Sequence, residues 1–462
     1  MDSYDVIIIG AGMSGLSAGL RLTYYGKRVR IFERHRLPGG MNSYYLRSGV
    51  AMDTGLHALT NFVPAGQRGA PLNTLLRQLR IRREELDLCP QSFSLIDFPF
   101  GTLRLNNDFA AFAAQVGNLF PAQTAGFNAL VARIRATDAL SPGAPRLSAR
   151  QVVGEYIDST QLQDMLFCPV MYYGNAQVDD MDFNQFCIIF QSVILEGFAR
   201  PRHGMRPFLQ VLLDRFAAQG GELSLGVGVR AISRRADGRQ VGTTDDGASY
   251  TASALLSSAG GVETARLCAE VPPPELSAMS PGQQGFTETL CQLNCHPREL
   301  GLDACVIFRN TTPSFRFRPP AAGVDPDSHV VCMPGNYVGC EDTDCARLVR
   351  LTHLAAPGWW HALSPADYRR AKDELMAQHV AMMDAWKPGF KAALQSCDMF
   401  TPKTISRYTG RINGAIYGSS DKLTSGQTSQ DGLYLCGTDQ GFLGIVGAML
   451  SGVAIVNRYL LA

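Results

Sequence analysis

Three glycines and one glutamate near the start of the chain have the spacing of a nucleotide-binding site. Gly10, Gly12 and Gly15 follow the apolar residues 6–9, and Glu33 ends the next apolar run. Gly10 permits a tight turn, Gly12 lets backbone amides approach a pyrophosphate, and Gly15 lets a helix lie close to the strand. Glu33 is placed to accept hydrogen bonds from ribose hydroxyls and to repel a 2′-phosphate. The spacing therefore predicts a dinucleotide site at a helix N-terminus, with an unphosphorylated adenosine ribose.

Further glycine-rich segments extend this pattern at both ends of the chain. Residues 39–42 contain a second glycine pair, where a long ligand can pass close to the backbone. Residues 431–439 have the pattern of a strand that ends in glycine, and residues 444–449 that of a glycine-rich helix start. Because glycine has no Cβ, each segment allows close approach of a ligand to main-chain N–H groups.

Taken together, these segments resemble the FAD-dependent superfamily of phytoene desaturases, carotenoid isomerases and amine oxidases. Residues 52–57, and residues 401–409 with 414–418, are similar to its desaturase and isomerase branch. The resemblance covers residues 1–62, 203–264 and 401–462.

The resemblance implies that FAD is the cofactor and indicates which residues bind it. The counterpart of Val229 holds the adenine through the backbone, and the helix start at residues 444–446 faces the pyrimidine edge of the flavin. Phe442 and Leu443 stand where the family usually has a proline. The implied FAD-binding residues are Gly10, Gly12, Met13, Ser14, Gly15, Glu33, Arg34, Gly39, Gly40, Met41, Asn42, Val229, Ala259, Gly260, Gly437, Thr438, Asp439, Gly444, Ile445 and Val446.

The elements that position these residues predict an α/β fold with two interleaved domains. With 462 residues, of which 46% are hydrophobic, the chain is too long for one small core. Residues 1–62, 203–283 and 401–462 are predicted to form a discontinuous, Rossmann-like FAD-binding domain. Residues 63–202, mostly with helical periodicity, and residues 284–400, with several strands, are predicted to form an α+β substrate (cap) domain.

Two titratable residues follow the second glycine pair. In the related enzymes, this part of the chain lies close to the flavin ring and the substrate. His57 has an unperturbed pKa close to neutral and is a candidate for proton transfer, with Asp53 as its companion. The alternative is that His57 only makes structural hydrogen bonds.

A band of apolar and aromatic residues in the cap is the candidate substrate site. Tyr172, Tyr173, Phe186 and Phe190 are predicted to line a tunnel for a long unsaturated chain. Ordinary core packing is an equally weighted alternative, because apolar periodicity indicates burial first. The basic residues Arg200, Arg202, His203 and Arg206 are expected to form a solvated surface, with contact to anionic lipid or a substrate carboxylate as the alternative.

Composition excludes several other functions. A net charge of +1 argues against a nucleic-acid partner, which would need many phosphate contacts. The twelve cysteines have no metal-ligand spacing, so the sequence predicts no metal, reduced thiols and a cytoplasmic location. Residues 440–457 carry no charge but are rich in glycine, which favours a packed helix over a membrane span.

The sequence thus predicts an FAD-dependent oxidoreductase that acts on carbon–carbon bonds of an apolar, polyene or isoprenoid-like substrate, by desaturation or flavin-assisted isomerisation. A flavin amine oxidase is one alternative. A non-catalytic, prenyl-binding escort protein of the same fold is another. No second glycine motif for a nicotinamide is present, so dioxygen or a quinone is the expected electron acceptor. An apolar substrate collected from lipid would favour peripheral membrane contact.

Overall fold

Two large β-sheets organise the chain in the computed structural model, which describes residues 3–47, 49–141 and 144–461. The strands are β1 Ser3–Ile9, β2 Val29–Glu33, β3 Tyr44–Arg47, β4 Val50–Asp53, β5 Leu88–Pro90, β6 Ser94–Phe98, β7 Gly101–Leu105, β8 Ala199–Pro201, β9 Glu222–Leu225, β10 Val229–Arg234, β11 Gln240–Thr244, β12 Ser249–Ser257, β13 Gly285–Leu293, β14 Val306–Asn310, β15 Val324–Cys332, β16 Leu348–Ala355, β17 Leu394–Phe400 and β18 Leu433–Leu435.

The helices cover both faces of these sheets. They are α1 Met13–Thr23, α2 Pro71–Gln78, α3 Phe109–Leu119, α4 Thr124–Ala136, α5 Ala149–Gly154, α6 Thr160–Gly174, α7 Phe183–Phe190, α8 Met205–Ala218, α9 Gly261–Leu267, α10 Pro274–Ser277, α11 Pro357–Ala362, α12 Pro365–Trp386, α13 Phe390–Ala393, α14 Pro402–Thr409 and α15 Gly444–Ile455.

The first sheet is a Rossmann-like layer that brings the N- and C-terminal glycine segments together. Its strand order is β10-β11-β12-β1-β2-β9, and β18 also pairs with β12. Strands β12, β1, β2 and β9 run parallel, as do β12 and β18. Ile8 is opposite both Leu256 and Ile31 and is fully buried, because helices α1, α8 and α15 cover that face. The predicted α/β class with a Rossmann-like sheet is confirmed.

The second sheet separates helices α12 and α13 from the interior of the molecule. Its order is β17-β13-β16-β15-β14-β6-β7, antiparallel except for the β14–β6 pair. Val331 and Leu351 on one face pack against α12 and α13, together with Met383. Phe308 and Val330 on the other face join the large aromatic core that includes α6 and α7. The sheet is therefore a wall with a helix-covered side and an interior side.

Two details of the predicted organisation differ in the structure. Helix α2 was assigned to the cap, but Leu72, Leu75 and Leu76 pack in the first-sheet core, which also contains residues of α15. Within residues 63–202, the helical periodicity of residues 109–127 predicts one continuous helix, but the structure divides this run between α3 and α4, since Pro121 lacks the N–H that a continuous helix needs. Apolar periodicity shows that a face is buried without showing which core buries it.

The uncharged C-terminal run forms a short internal helix. Helix α15 has 12 residues, and its Gly452 has no room for a Cβ, which would lie 2.1 Å from the carbonyl oxygen of Ser14 in α1. In the described ranges, no helix has both the length and the apolar character to cross a membrane.

Three histidines form a buried stack on the helix-covered side of the second sheet. The ring centroids of His329 and His353 are 4.9 Å apart, and those of His353 and His379 are 4.1 Å apart. Desolvation lowers the pKa of His329 to about 3, with help from Arg309, and that of His379 to about 4. Burial also holds the pKa of His353 well below its ordinary value. All three imidazoles are therefore neutral at physiological pH.

This stack predicts that stability falls with acidification below pH 6.5. An unfolded histidine binds a proton near pH 6.5, whereas the buried imidazoles resist protonation until much lower pH. The unfolded state then binds more protons, so we expect the free energy of unfolding to drop by at least about 1 kcal/mol per pH unit between pH 6 and 5. Denaturant titrations at several pH values measure the slope.

Variants identify which histidines cause the slope. His353→Phe keeps an aromatic ring in the stack and should flatten the pH dependence. His203→Gln, at an exposed position, should leave it unchanged. An equal slope in wild type and His353→Phe would refute the assignment.

Candidate functional site

The turn between β1 and α1 has the geometry of a nucleotide cradle. Gly10 has a φ of +96°, and a Cβ on Gly15 would lie 2.0 Å from the carbonyl oxygen of Gly10. Gly12, the N-cap of α1, has no side-chain cap, and a Cβ there would meet nothing within 4 Å. Gly15 therefore allows close packing of helix on strand, whereas Gly12 leaves open space in front of the helix N-terminus.

This space belongs to a connected cavity of about 1000 Å³ that extends from the first sheet to the interior side of the second. Sixteen of the residues predicted to bind FAD line it. They are Gly10, Gly12, Met13, Ser14, Glu33, Arg34, Gly39, Gly40, Met41, Asn42, Val229, Ala259, Gly437, Thr438, Gly444 and Ile445. The fold brings together segments from both ends of the chain, and the open N-terminus of α1 fits the pyrophosphate of FAD.

The carboxylate of Glu33 is buried at the adenosine end of this cavity. Its Oε2 accepts a hydrogen bond of 2.8 Å from the backbone N–H of Ala11, and its Oε1 accepts one of 2.8 Å from that of His35. Glu33 is only 7% exposed, because these backbone groups and the glycine turn enclose its carboxylate. The carboxylate fixes the glycine turn while its remaining lone pairs face the cavity.

Four residues predicted to contact FAD do not line the cavity. Gly15 packs against Gly10, Val446 lies in the first-sheet core, and Gly260 precedes helix α9. Asp439 accepts hydrogen bonds from the N–H groups of Gly261 and Ser419 and is 1% exposed. The predicted cofactor contact of Asp439 is thus replaced by a structural role.

Asp439 also positions a cation that sequence reasoning missed. Nη1 of Arg411 lies 3.4 Å from Oδ2 of Asp439, and Arg411 also donates to the Thr438 hydroxyl. Arg411 lines the cavity with Arg34. Two guanidinium groups on the cavity wall suit the anionic pyrophosphate, and only the position of Arg411 between two family-like segments indicated it in the sequence.

The end of the cavity beside the second sheet is apolar and aromatic. Tyr172 and Tyr173 from α6 line it, as predicted, together with Phe286, Ile416 and Tyr417. Burial raises the pKa values of Tyr172 and Tyr173 well above the ordinary range, so both hydroxyls are neutral. The Tyr173 hydroxyl has no hydrogen-bond partner among the described protein atoms.

Phe186 and Phe190 do not line the cavity, and their assignment to the substrate site was wrong. Both are fully buried, with ring centroids 5.6 Å apart, and Phe186 also packs against Phe167. They form the core behind α6. A helix that is apolar on several faces has the same sequence pattern whether it lines a tunnel or fills a core.

His57 is part of a buried polar cluster at the aromatic end. Its Nε2 lies 3.0 Å from Oε2 of Glu288 and 3.1 Å from the hydroxyl of Thr352, and its side chain is 17% exposed. His57, Glu288 and Thr352 all line the cavity. Arg350 contacts the Glu288 carboxylate from behind. Burial raises the pKa of Glu288, but Arg350 and His57 more than offset this, so its net pKa is below the ordinary value and the carboxylate is charged.

Asp53 is not part of this cluster, so its predicted catalytic role is not supported. Its Oδ2 accepts from Nη2 of Arg200 at 2.5 Å and its Oδ1 accepts from the N–H of Met205 at 2.8 Å. Arg200 is 1% exposed, which corrects the prediction of a solvated surface at this position. The Asp53–Arg200 ion pair is structural, because the carboxylate and the guanidinium both also bond to backbone groups of the protein.

Two buried guanidinium groups hold the segment that carries His57. Nη1 of Arg200 donates to the carbonyl oxygen of Leu56 at 3.1 Å, and Nη1 of Arg350 donates to the same oxygen at 2.6 Å. Arg350 also donates to the carbonyl oxygen of Thr54 at 2.9 Å. These contacts fix the backbone on the N-terminal side of His57 from two directions.

A family model for flavin containing amine oxidoreductases matches residues 13–279, which is more than half of the chain. The chain belongs to this family. The predictions of the superfamily, of FAD as cofactor and of an enzyme are thereby confirmed.

The chain is similar to a prolycopene isomerase and to a phytoene dehydrogenase. It is 22% identical to the chloroplastic prolycopene isomerase of Arabidopsis thaliana, over 98% of this chain and 82% of that protein. It is 26% identical to the phytoene dehydrogenase of Streptomyces griseus, over 50% of each chain. The crystal structure of an oxidoreductase from Methanosarcina mazei matches with a TM-score of 0.67 at 18% identity, over 98% of this chain and 100% of that one, which shows a shared fold.

The oxidoreductase has no metal-like cluster in the part of the chain that the structure describes. No group of three or more His, Cys, Asp or Glu side chains is arranged to hold a metal ion. Sequence reasoning missed four residues of the site. Glu288 and Thr352 are hydrogen-bonded to the predicted His57, Arg411 is hydrogen-bonded to the predicted Thr438, and Arg350 is hydrogen-bonded to Glu288.

Proposed function

We propose that this oxidoreductase acts on carbon–carbon bonds of an apolar, polyene or isoprenoid-like substrate, by desaturation or double-bond isomerisation. The observation that carries the proposal is the combination of an aromatic cavity end, where the Glu288 carboxylate is paired with Arg350, with a histidine able to transfer protons. Tyr172, Tyr173 and Phe286 supply the first, and His57 with Glu288 supplies the second. The names of the relatives, a prolycopene isomerase and a phytoene dehydrogenase, support the same substrate class.

Bound FAD supplies two-electron redox chemistry, and the residues around it bind, orient and exclude water. Arg34 and Arg411 neutralise the pyrophosphate, and the N-terminus of α1 donates N–H groups to it. The aromatic side chains hold an apolar chain by burial and exclude water from it.

His57 is the residue that holds or moves a proton at the cavity surface. Because Glu288 is charged, Nε2 of His57 donates to it, which leaves Nδ1 as the atom able to accept a proton. The carboxylate stabilises the imidazolium that results, and the Thr352 hydroxyl fixes the ring orientation. The geometry therefore suits removal of a proton next to a double bond.

An amine substrate fits this cavity end less well. Aromatic faces attract cations, but burial of an ammonium group in a dry site also requires a negative charge that pairs with it. The Glu288 carboxylate is already paired with Arg350, which is fully buried. A non-catalytic escort is disfavoured because the FAD-binding segments are intact and line one cavity.

The decisive experiment mixes the FAD-loaded protein anaerobically with candidate substrates and records flavin absorbance and products. A polyene that bleaches the flavin in a single turnover, with gain of a double bond, indicates desaturation. Change of cis/trans geometry without net bleaching, dependent on prior flavin reduction, indicates isomerisation. Bleaching by amines and not by polyenes would contradict the proposal, and a colourless protein that cannot bind added FAD would favour the escort.

Reoxidation of the reduced flavin distinguishes between the possible electron acceptors. We propose dioxygen or a quinone, because the sequence has no second nucleotide motif for a nicotinamide. After substrate bleaching, dioxygen or a soluble quinone should restore flavin absorbance, while NAD should not. Restoration by NAD alone would overturn this assignment.

We also propose peripheral membrane contact at the cavity mouth, defined here as the lining residues Tyr45, Arg47, Lys372 and Tyr408 together with Leu46, an exposed neighbour in β3 that does not line the cavity. Leu46 is 63% and Tyr408 47% exposed, and Arg47 and Lys372 share the single carboxylate of Asp398, so the group keeps a net positive charge. Apolar tips beside cations suit the surface of an anionic bilayer. An apolar substrate would then pass from lipid to cavity without crossing water.

Flotation with anionic vesicles tests this contact. Leu46→Asp should weaken the partition to vesicles by about tenfold, since insertion of a leucine contributes roughly 1.5 kcal/mol. Val271→Asp is the matched control, because Val271 is 92% exposed and, unlike Leu46, has no chain neighbour that lines the cavity. Equal losses in both variants, or release from vesicles only by detergent, would contradict contact through the mouth.

A further inference from the structure

Two cysteines that are far apart in the sequence face each other across neighbouring strands. Cys291 in β13 is directly opposite Cys397 in β17, and their sulfur atoms are 3.8 Å apart. Directly opposed residues of antiparallel strands have Cα atoms about 4.5 to 5.5 Å apart, within the range that a disulfide spans. Side-chain rotation alone can therefore bring the sulfurs to bonding distance.

The two thiols differ in access to solvent. Strand β17 is at the edge of the second sheet in the described chain, and Cys397 is only half-buried. Cys291 is fully buried in the core under α12 and α13, with Met383 and Phe390 as companions. An oxidant can therefore reach Cys397 first, while Cys291 lies protected behind it.

The charges around the pair distinguish the two sulfurs further. A hydrogen bond from the Cys291 thiol lowers the pKa of Cys397, and Arg47 and Lys372 at the cavity mouth lower it further, whereas burial and Asp398 oppose them. The pKa of Cys291 is raised well above its ordinary value by the Cys397 thiolate and by burial. Thiolates react with oxidants and thiols do not, so Cys397 is the attacking sulfur.

We propose that Cys291 and Cys397 form a redox-active dithiol that a peroxide oxidises to a disulfide. The Cys397 thiolate attacks one peroxide oxygen, the O–O bond breaks, and a sulfenic acid and hydroxide form. The Cys291 sulfur then displaces the sulfenic oxygen, which leaves as water, and the S–S bond forms. In sum, two thiols and one hydrogen peroxide give one disulfide and two waters.

The bond would tie the edge strand to the wall of the cavity. Phe400 on β17 and Glu288 on β13 are paired residues that both line the cavity, on the face opposite the cysteines. A disulfide between the same two strands fixes that pair without entering the cavity. Hydrogen peroxide is also what a flavoprotein releases when dioxygen is its acceptor, so the acceptor proposed above would supply the oxidant. The dithiol itself does not depend on the substrate.

The test treats the reduced, FAD-loaded protein with a small excess of hydrogen peroxide. We expect a mass loss of about 2 Da, loss of two of the titratable thiols after denaturation, and a peptide that links Cys291 to Cys397. The melting temperature should rise by several degrees and return after treatment with dithiothreitol, since a long loop is closed.

Single variants distinguish this pair from incidental oxidation. Cys397→Ser should lose no thiols at the same peroxide dose, and Cys291→Ser should stop at a sulfenic acid that dimedone traps. Cys295→Ser, at a half-buried position nearby, should form the disulfide like the wild type. A crosslink between other cysteines, or an unchanged thiol count in the wild type, would overturn the proposal without any need for variants.

Discussion

Gly12→Val is expected to abolish FAD retention while the protein still folds. The backbone at Gly12 has a φ of −71°, which a β-branched residue can adopt, and a Cβ there meets no protein atom within 4 Å. The new side chain therefore projects into the space in front of the α1 N-terminus, where the pyrophosphate must lie. Loss of fold is not expected, because nothing in the protein has to move.

Flavin occupancy of the purified variant, from the ratio of visible to ultraviolet absorbance, measures this effect. Circular dichroism and thermal unfolding show whether the fold is retained. The matched control is Gly66→Val, another position with open space and no positive φ, exposed and distant from the cavity. Full occupancy in a folded Gly12→Val protein would mean that the cofactor does not use this cradle.

His57→Gln is expected to lower the turnover rate by about a hundredfold or more, with the flavin spectrum intact. Glutamine can still donate a hydrogen bond toward Glu288, but it has no titratable nitrogen. Proton transfer is then lost while the Glu288–Arg350 pair keeps its charge balance. Replacing Glu288 itself is less informative, because an unpaired buried guanidinium would destabilise the protein.

Rapid mixing with the substrate found in the anaerobic screen gives the rate, and the flavin spectrum reports on the site. Thr352→Val is the companion variant, since it removes a ring-orienting hydroxyl and should reduce the rate less than His57→Gln. His203→Gln, at an exposed histidine, should have no effect. An unaltered rate in His57→Gln would remove this residue from catalysis, and loss of flavin would assign it a structural role.

The cofactor half of the site was predictable because its signals are local. A buried strand, a glycine turn and a helix start occupy the thirteen residues from Ser3 to Gly15, and each glycine has a separate steric reason. Glu33 follows within the next strand. Because the conformation of such a segment is set by its own residues, a sequence motif describes it well.

The substrate half depends on contacts between distant residues, and no pattern in the sequence joins them. Glu288 is 231 positions from His57, and Arg350 is 294 positions from Leu56, whose carbonyl oxygen it binds. Asp53 and His57 are near neighbours in sequence, but β4 directs Asp53 toward Arg200 while His57 reaches the cavity. Only the register of β13 and β16 decides which polar side chains meet.

The carbonyl oxygen of Leu56 links the two halves of the molecule, which are the first sheet with its helices and the second sheet with its helices. Leu56 has its side chain in the core of the first sheet, and its oxygen accepts from Arg350 of the second sheet. Moving the halves apart would break this hydrogen bond, displace His57 and expose a charged group that is fully buried. A hinge motion that broke this contact would therefore inactivate the enzyme. We therefore expect substrate and product to enter and leave the cavity without movement of the two sheets relative to each other. We also expect both sheets to unfold in one cooperative transition.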